Sequence, residues 1–172
     1  MSRIRLITVA LLALVSQICI ANTAVIQSYV PAAAPVGQMT LRFMLFDVYE
    51  ATLYAPDGEW QRDKPFALSL RYLRNLDGDA IAERSVKEIR GQGFDNETKL
   101  NAWGKAMADI FPDVKKDTTI IGLLDATQTT RFYFEGKPIG QIEDPEFGEQ
   151  FFNIWLGERT SEPKLRDQLL GK

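Results

Sequence analysis

The 172-residue chain contains no histidine, and its one cysteine, Cys19, lies near the amino terminus. Without histidine there is no Ser-His-Asp or Cys-His nucleophilic machinery, and the usual zinc sites are excluded as well. If the first 21 residues are removed, no cysteine remains, so the rest of the chain has neither a disulfide nor a thiol nucleophile. There is no glycine-rich phosphate loop, no carboxylate cluster at metal-binding spacing, no internal repeat and no low-complexity tract. Beyond residue 21 no stretch is apolar enough to span a membrane. No cofactor and no metal are implied.

What is present suits one globular domain: 45% of the residues are hydrophobic and 25% are charged, and the length allows a substantial core. Arg3 and Arg5 begin the chain, and Leu6 to Ile20 is apolar apart from Thr8, Ser16 and Gln17. Cys19 and Ala21 put small residues at the third and first places before a cut. This is the pattern of a secretory signal peptide over residues 1–21. Ile18 before Cys19 argues against a lipid-modified cysteine, which requires a small neighbour there. Residues 22–36, rich in alanine, proline and small polar residues, form a lead-in, and 37–172 the domain proper. The expected location is the periplasm or the exterior. Removing Arg3 and Arg5 with no acidic residue takes the formal charge from −3 to −5, a poor match for nucleic acid.

Within the lead-in, Val25 to Val30 reads as a short strand closed by Pro31. A long β-prone run from Gln38 to Tyr54 exceeds one ordinary strand, so it bends or splits near Phe46–Asp47. Ala55-Pro56-Asp57-Gly58 is a turn, and Phe66 to Leu73 the next strand. Asp77 or Asp79 opens a helix to about Arg90, with Ala82, Val86 and Ile89 as its stripe. A second helix from Asp95 or Asn96 carries Leu100, Trp103, Met107 and Ile110 and stops at Pro112. Strands follow at Thr118–Leu124, Thr129–Phe134 and Ile139–Ile142. Asp144-Pro145-Glu146 opens a helix with Phe147, Phe151, Ile154 and Trp155 on one face, ended by Gly157. A last short helix begins at Ser161-Glu162-Pro163. Strands, helices, strands, helices predict an α+β fold with an antiparallel sheet and helices on one face.

Candidate binding groups are then arginines, tyrosines and carboxylates. Arg42 lies between Leu41 and Phe43 in the most apolar strand region. Its guanidinium is either a bidentate anion receptor in an apolar cleft or a solvent-facing edge residue. Asp47 is either a bulge residue or a cleft group. Tyr49, Tyr54, Tyr72 and Tyr133 fall in strands, where tyrosine packs with a wet hydroxyl. Arg71 and Arg74 flank Tyr72 and read as solvated. Phe147, Phe151, Phe152 and Trp155 have core spacing. Asn96-Glu97-Thr98 matches a glycosylation acceptor, a pattern short enough to arise by chance.

Leu41-Arg42 followed by Phe46-Asp47-Val48-Tyr49-Glu50-Ala51-Thr52-Leu53-Tyr54 resembles the strand pair of the chalcone isomerase-like family. The segment Phe147 to Gly157, followed by Leu169-Leu170-Gly171, resembles the carboxy-terminal signature of its bacterial exported branch. The Leu70–Arg74 strand and the Gly136–Gly140 turn stand between them in order, and the resemblance covers roughly residues 36–171. It implies an open-faced sandwich, a large antiparallel sheet packed with a layer of helices and a ligand cleft between. It also implies a role for Arg42, which steers a chalcone phenolate in the plant enzymes. With a tyrosine, the same arginine holds a fatty-acid carboxylate in non-enzymatic members. The enzyme's tyrosine, its asparagine and two threonines fall near Ile81, Glu88, Asp47 and Ile154, so most catalytic positions are not matched.

Three readings stay open. The first is a non-catalytic binder of a small apolar carboxylate such as a fatty acid, with Arg42, Tyr49, Tyr72 and Asp47 at the site. Its chemistry, an apolar cleft with one fixed cation, is that of a small-ligand site. The second is an intramolecular lyase or isomerase of chalcone type, which needs mainly orientation and electrostatics. The third is a structural or partner-binding domain with a filled cleft. A hollow cleft lined by Arg42 favours the first, a cleft holding Arg42, a tyrosine and a polar helix group within reach of one ligand favours the second, and a core filled by side chains favours the third. A small apolar or acidic ligand is the expected partner, and the sequence names no protein partner for the third reading.

Overall fold

The computed structural model describes residues 20–172. The expected export signal therefore lies, apart from Ile20 and Ala21, outside the described residues. Residues 20–29 form a helix, α1. The chain continues through β1 (Ala33–Phe43), β2 (Phe46–Pro56), β3 (Phe66–Tyr72), α2 (Gly78–Gly91) and α3 (Glu97–Ile110). It ends with β4 (Thr119–Leu124), β5 (Thr130–Phe134), β6 (Lys137–Ile142), α4 (Pro145–Leu156) and α5 (Pro163–Leu169). The six strands form one antiparallel sheet in chain order, β1 to β6.

The long β-prone run splits as its length requires. Met44, at φ 56°, and Leu45 make the two-residue turn between β1 and β2. On one sheet face, Met39, Ala51, Leu70, Ile120 and Phe134 align across the strands. Beside them run Leu53, Leu68, Gly122, Phe132 and Gly140. Against this apolar face pack the stripes of α2 (Ala82, Ile89), α3 (Leu100, Trp103, Met107) and α4 (Phe147, Phe151, Phe152, Trp155). The α4 aromatics are core, as their spacing predicts. Phe151 meets Phe132 edge-on, with ring centres 5.4 Å apart. Each fully buried phenylalanine contributes about 2 kcal/mol.

The caps are local chemistry. Asp144 accepts from the Glu146 amide at 3.0 Å, and Pro145 occupies the first turn of α4, where its missing N–H costs nothing. Asn96 accepts from the Lys99 amide at 3.1 Å to start α3. Gly37 marks a close approach: a Cβ there would lie 2.1 Å from the Gln168 carbonyl oxygen. Only glycine lets the end of α5 seat against β1.

One element departs from the expectation. Residues 25–29 are helical, not extended, and belong to α1. Val25, Ile26, Tyr29 and Val30 repeat at helical spacing, and they pack on Ala67, Ile121, Leu123 and Tyr133. Those positions alternate with the inner-face residues, so α1 covers the opposite face of the sheet. The helical layer of α2 to α5 therefore faces one side, and α1 adds partial cover on the other. β1 also begins at Ala33, inside the segment read as lead-in.

Candidate functional site

A cavity of about 300 Å³ lies between the inner sheet face and helices α2, α4 and α5. Its sheet wall carries Leu41, Tyr49, Leu70 and Tyr72, and its helical wall Ile81, Ser85, Glu88, Phe151 and Trp155. It exists because α2 packs closely on α3 and α4 but stands off the strands, leaving a space between Ile81 and Ser85 and the sheet wall. The size is that of a small-molecule pocket.

Two tyrosines stand in the wall. Tyr49 and Tyr72 are opposed across β2 and β3, with rings edge to face at 6.0 Å. The Trp155 indole N–H donates to the Tyr49 hydroxyl at 2.9 Å, pinning α4 to β2. Burial pushes the Tyr49 phenol up to about 12, although the Trp155 donor favours the phenolate. Tyr72 is only 2% exposed, and burial, with Tyr49 beside it, raises its pKa further. No hydrogen-bond partner for the Tyr72 hydroxyl is found among the described residues. Both tyrosines are thus neutral donors at physiological pH.

Charge collects toward the mouth. The lining holds four guanidinium groups, Arg42, Arg74, Arg84 and Arg166, against two carboxylates, Glu88 and Glu162. That balance favours an anion. Arg84 pairs with Glu88 at 2.5 Å along α2, and Ser161 donates to the other Glu88 oxygen at 2.8 Å. Arg166 Nε donates to the Leu156 carbonyl at 2.8 Å and ties α5 to α4. Arg74 makes no ion pair among the described residues; its guanidinium rests over the Phe46 ring, 5.4 Å from the centre.

Arg42 is at the rim. A bulge between Leu41 and Arg42 alters the β1–β2 register there, and the Arg42 side chain is 73% exposed. Its Nε donates to Asp47 Oδ1 at 2.5 Å. Asp47 does not line the cavity; it borders a shallow neighbouring depression with Leu45, Phe46, Leu73, Arg74 and Lys116. The structure thus brings Arg42, Tyr49 and Tyr72 to one cavity and leaves Asp47 outside it. Tyr54 and Tyr133 pack with α1 on the other face.

Sequence reasoning missed Arg74, Arg84 and Ser85. Arg84 carried a signal, since Glu88 follows it by one helical turn on the face that also bears Ile81 and Ser85. Ile81, Glu88 and Ile154 all line the cavity. At Ile81 and Ile154 the wall is hydrocarbon and offers no polar group to a substrate. Among the described residues no three acidic side chains converge as a metal site, and no helix is long and apolar enough to cross a membrane.

Comparison with known proteins agrees with this architecture. A fatty-acid binding protein of Arabidopsis thaliana superposes with a TM-score of 0.63 at 13% identity, over 82% of this chain and 88% of the other. An uncharacterised protein of Haemophilus influenzae is 28% identical over 139 residues, which is 80% of this chain and 68% of that one. The family described as chalcone isomerase-like matches residues 38–171, from β1 to the end of α5. The chain belongs to the chalcone isomerase-like family.

Proposed function

We propose that this protein is an exported, non-catalytic binder of a small apolar carboxylate, with a fatty acid as the fitting class. The observation that carries the reading is the hollow, largely apolar cavity whose mouth bears more guanidinium than carboxylate. A hydrocarbon tail fits a space of this size and largely apolar lining. Its carboxylate stays at the mouth, where Arg42 and Arg74 supply charge-assisted donors. Tyr72 offers a further neutral hydroxyl from the wall. Supporting the same reading, the structural neighbour from Arabidopsis is a fatty-acid binding protein. The hydrocarbon wall at Ile81 and Ile154 favours binding over chalcone-type ring closure, which needs polar groups to orient its substrate. The apolar amino-terminal stretch behind Arg3 and Arg5 supports export.

The test is native mass spectrometry of the protein isolated from its producing cell, with lipid extraction, beside Arg42→Ala and Arg74→Ala. A co-purifying acidic lipid, reduced in one or both variants, is the expected result. A protein that is isolated empty and takes up no added fatty acid would sink the reading. Cell fractionation tests export separately, with a shortened chain outside the cytoplasm as the expected outcome.

A further inference from the structure

The tip of the β1–β2 hairpin is four consecutive large apolar residues that bury little. Phe43 is 59% exposed, Met44 81%, Leu45 93% and Phe46 61%. Contiguous exposed hydrocarbon of this kind marks an interaction site. We propose that this tip is a membrane finger, which inserts into the headgroup region of an anionic lipid bilayer beside the cavity mouth.

Three observations favour a bilayer over a protein. β1 and β2 stay paired out to Phe43 and Phe46 while β3 pairs with β2 only as far as Tyr49, so the two-residue turn projects beyond the neighbouring strand. A stable protein interface needs about 800 Å² from each partner, more than a four-residue projection supplies, whereas lipid closes around a wedge. The flanking charge is also basic: Arg42, Arg74 and Lys116 stand around the tip, with Asp47 the opposing carboxylate. Cations beside an apolar wedge are what an anionic headgroup layer attracts. Finally, Arg74 borders both the cavity and the depression under Leu45 and Phe46, and Phe43 lines the cavity itself. Insertion therefore opens the mouth toward the acyl layer. Insertion stands on the tip alone, while its use in loading the cavity rests on the proposed function.

The test reads position, so that any other membrane-seeking part of the chain does not answer for the tip. Leu45→Trp is mixed with phosphatidylcholine vesicles carrying about a third phosphatidylglycerol, with bromine on the acyl chains. The comparison is Lys105→Trp, at an exposed site on α3, which packs toward β6 at the far edge of the sheet. Expected is quenching of the Leu45→Trp signal, little change in Lys105→Trp, and weaker quenching without phosphatidylglycerol. Adding Met44→Asp should weaken the lipid partition of Leu45→Trp by about tenfold. Absence of quenching, or equal quenching at both positions, overturns the proposal. So does a blue shift of Leu45→Trp that grows with protein concentration alone, because the tip then meets a second copy. Fatty-acid uptake in vesicle-free buffer is measured on the Met44→Asp protein, whose change lies outside the cavity. If no acid binds yet Leu45→Trp is quenched, the binder reading fails and the finger stands.

Discussion

Arg42 and Asp47 face each other across the β1–β2 hairpin, the guanidinium Nε 2.5 Å from the carboxylate Oδ1. The pair holds the rim cation of the cavity in an exposed position, where ion pairs contribute little to stability. Its effect is to compete with any incoming anion for Arg42.

Asp47→Asn should therefore tighten binding of an apolar acid, by about threefold, because Arg42 loses its internal partner. Displacement of a fluorescent fatty acid measures this. Arg42→Ala should erase the gain. If neither change alters affinity and Arg74→Ala does, the carboxylate is held by Arg74, whose guanidinium rests over the Phe46 ring.

Tyr49 and Trp155 give an alkaline prediction. The Tyr49 phenol rises from an ordinary 10 to about 12 on folding, chiefly through burial. A folded pKa above the unfolded one stabilises the fold fully below about pH 10, and that contribution disappears as the pH climbs toward 12. Urea titrations across this range should show stability falling. Tyr49→Phe should flatten the fall, and it should cost about 1 kcal/mol at neutral pH by leaving the Trp155 N–H without its acceptor.

Asp125 gives the acid counterpart. It is 5% exposed, and burial opposes its charge. Donors outweigh that penalty: the Thr127 hydroxyl at 2.6 Å, Arg131 Nε at 2.7 Å, and the amides of Thr127 and Thr129 at 2.8 and 3.1 Å. The result is a pKa lowered from 3.8. Its contribution is present above that value and is lost as the pH falls below it. Asp125→Asn should destabilise the protein by about 2 kcal/mol near neutrality, by turning an N–H₂ on some of those donors. The acid limb of the stability curve should become shallower, which a pH series of thermal melts checks.

Gly37→Ala should cost about 2 kcal/mol, since the added methyl meets the Gln168 carbonyl at 2.1 Å and the Leu169 carbonyl at 2.6 Å. Chemical denaturation measures the loss. Hydrogen exchange should localise the loosening to α5 and the adjacent part of β1. A neutral result would mean that the end of α5 shifts freely and does not shape the cavity.

The strands and the α2, α3, α4 and α5 helices are legible because local signals agree there. In α4, Asp144, Pro145 and the Phe147–Phe151–Trp155 stripe each specify the same helix. The first helix is different. Val25-Ile26 and Tyr29-Val30 are β-prone by type, yet Ile26 and Val30 lie four apart and fall on one helical face. The arbiter is β4, whose Ile120 and Ile121, and Leu123 and Leu124, are all buried. A strand apolar at both parities needs cover on both faces, and α1 supplies it. That signal was present in Thr119–Leu124, but only in combination with the segment ahead of β1.

The sequence by itself determined the secondary-structure order, the apolar face of each long helix, and the absence of histidine and thiol chemistry from the domain. These depend on residue type and spacing alone. Tertiary structure decided which polar groups share a space. Arg42 comes to the rim because a bulge after Leu41 alters its register with β2, and one residue of register changes which way a side chain points. Tyr49 and Trp155 are 106 positions apart, and no local pattern links them. Arg74, next to a strand and solvated by any local reading, becomes a mouth residue only because the fold sets its guanidinium over the Phe46 ring at the cavity's edge. The cavity itself is a packing remainder: it depends on how far α2 stands off the sheet while it packs on α3 and α4, a volume that no single segment encodes.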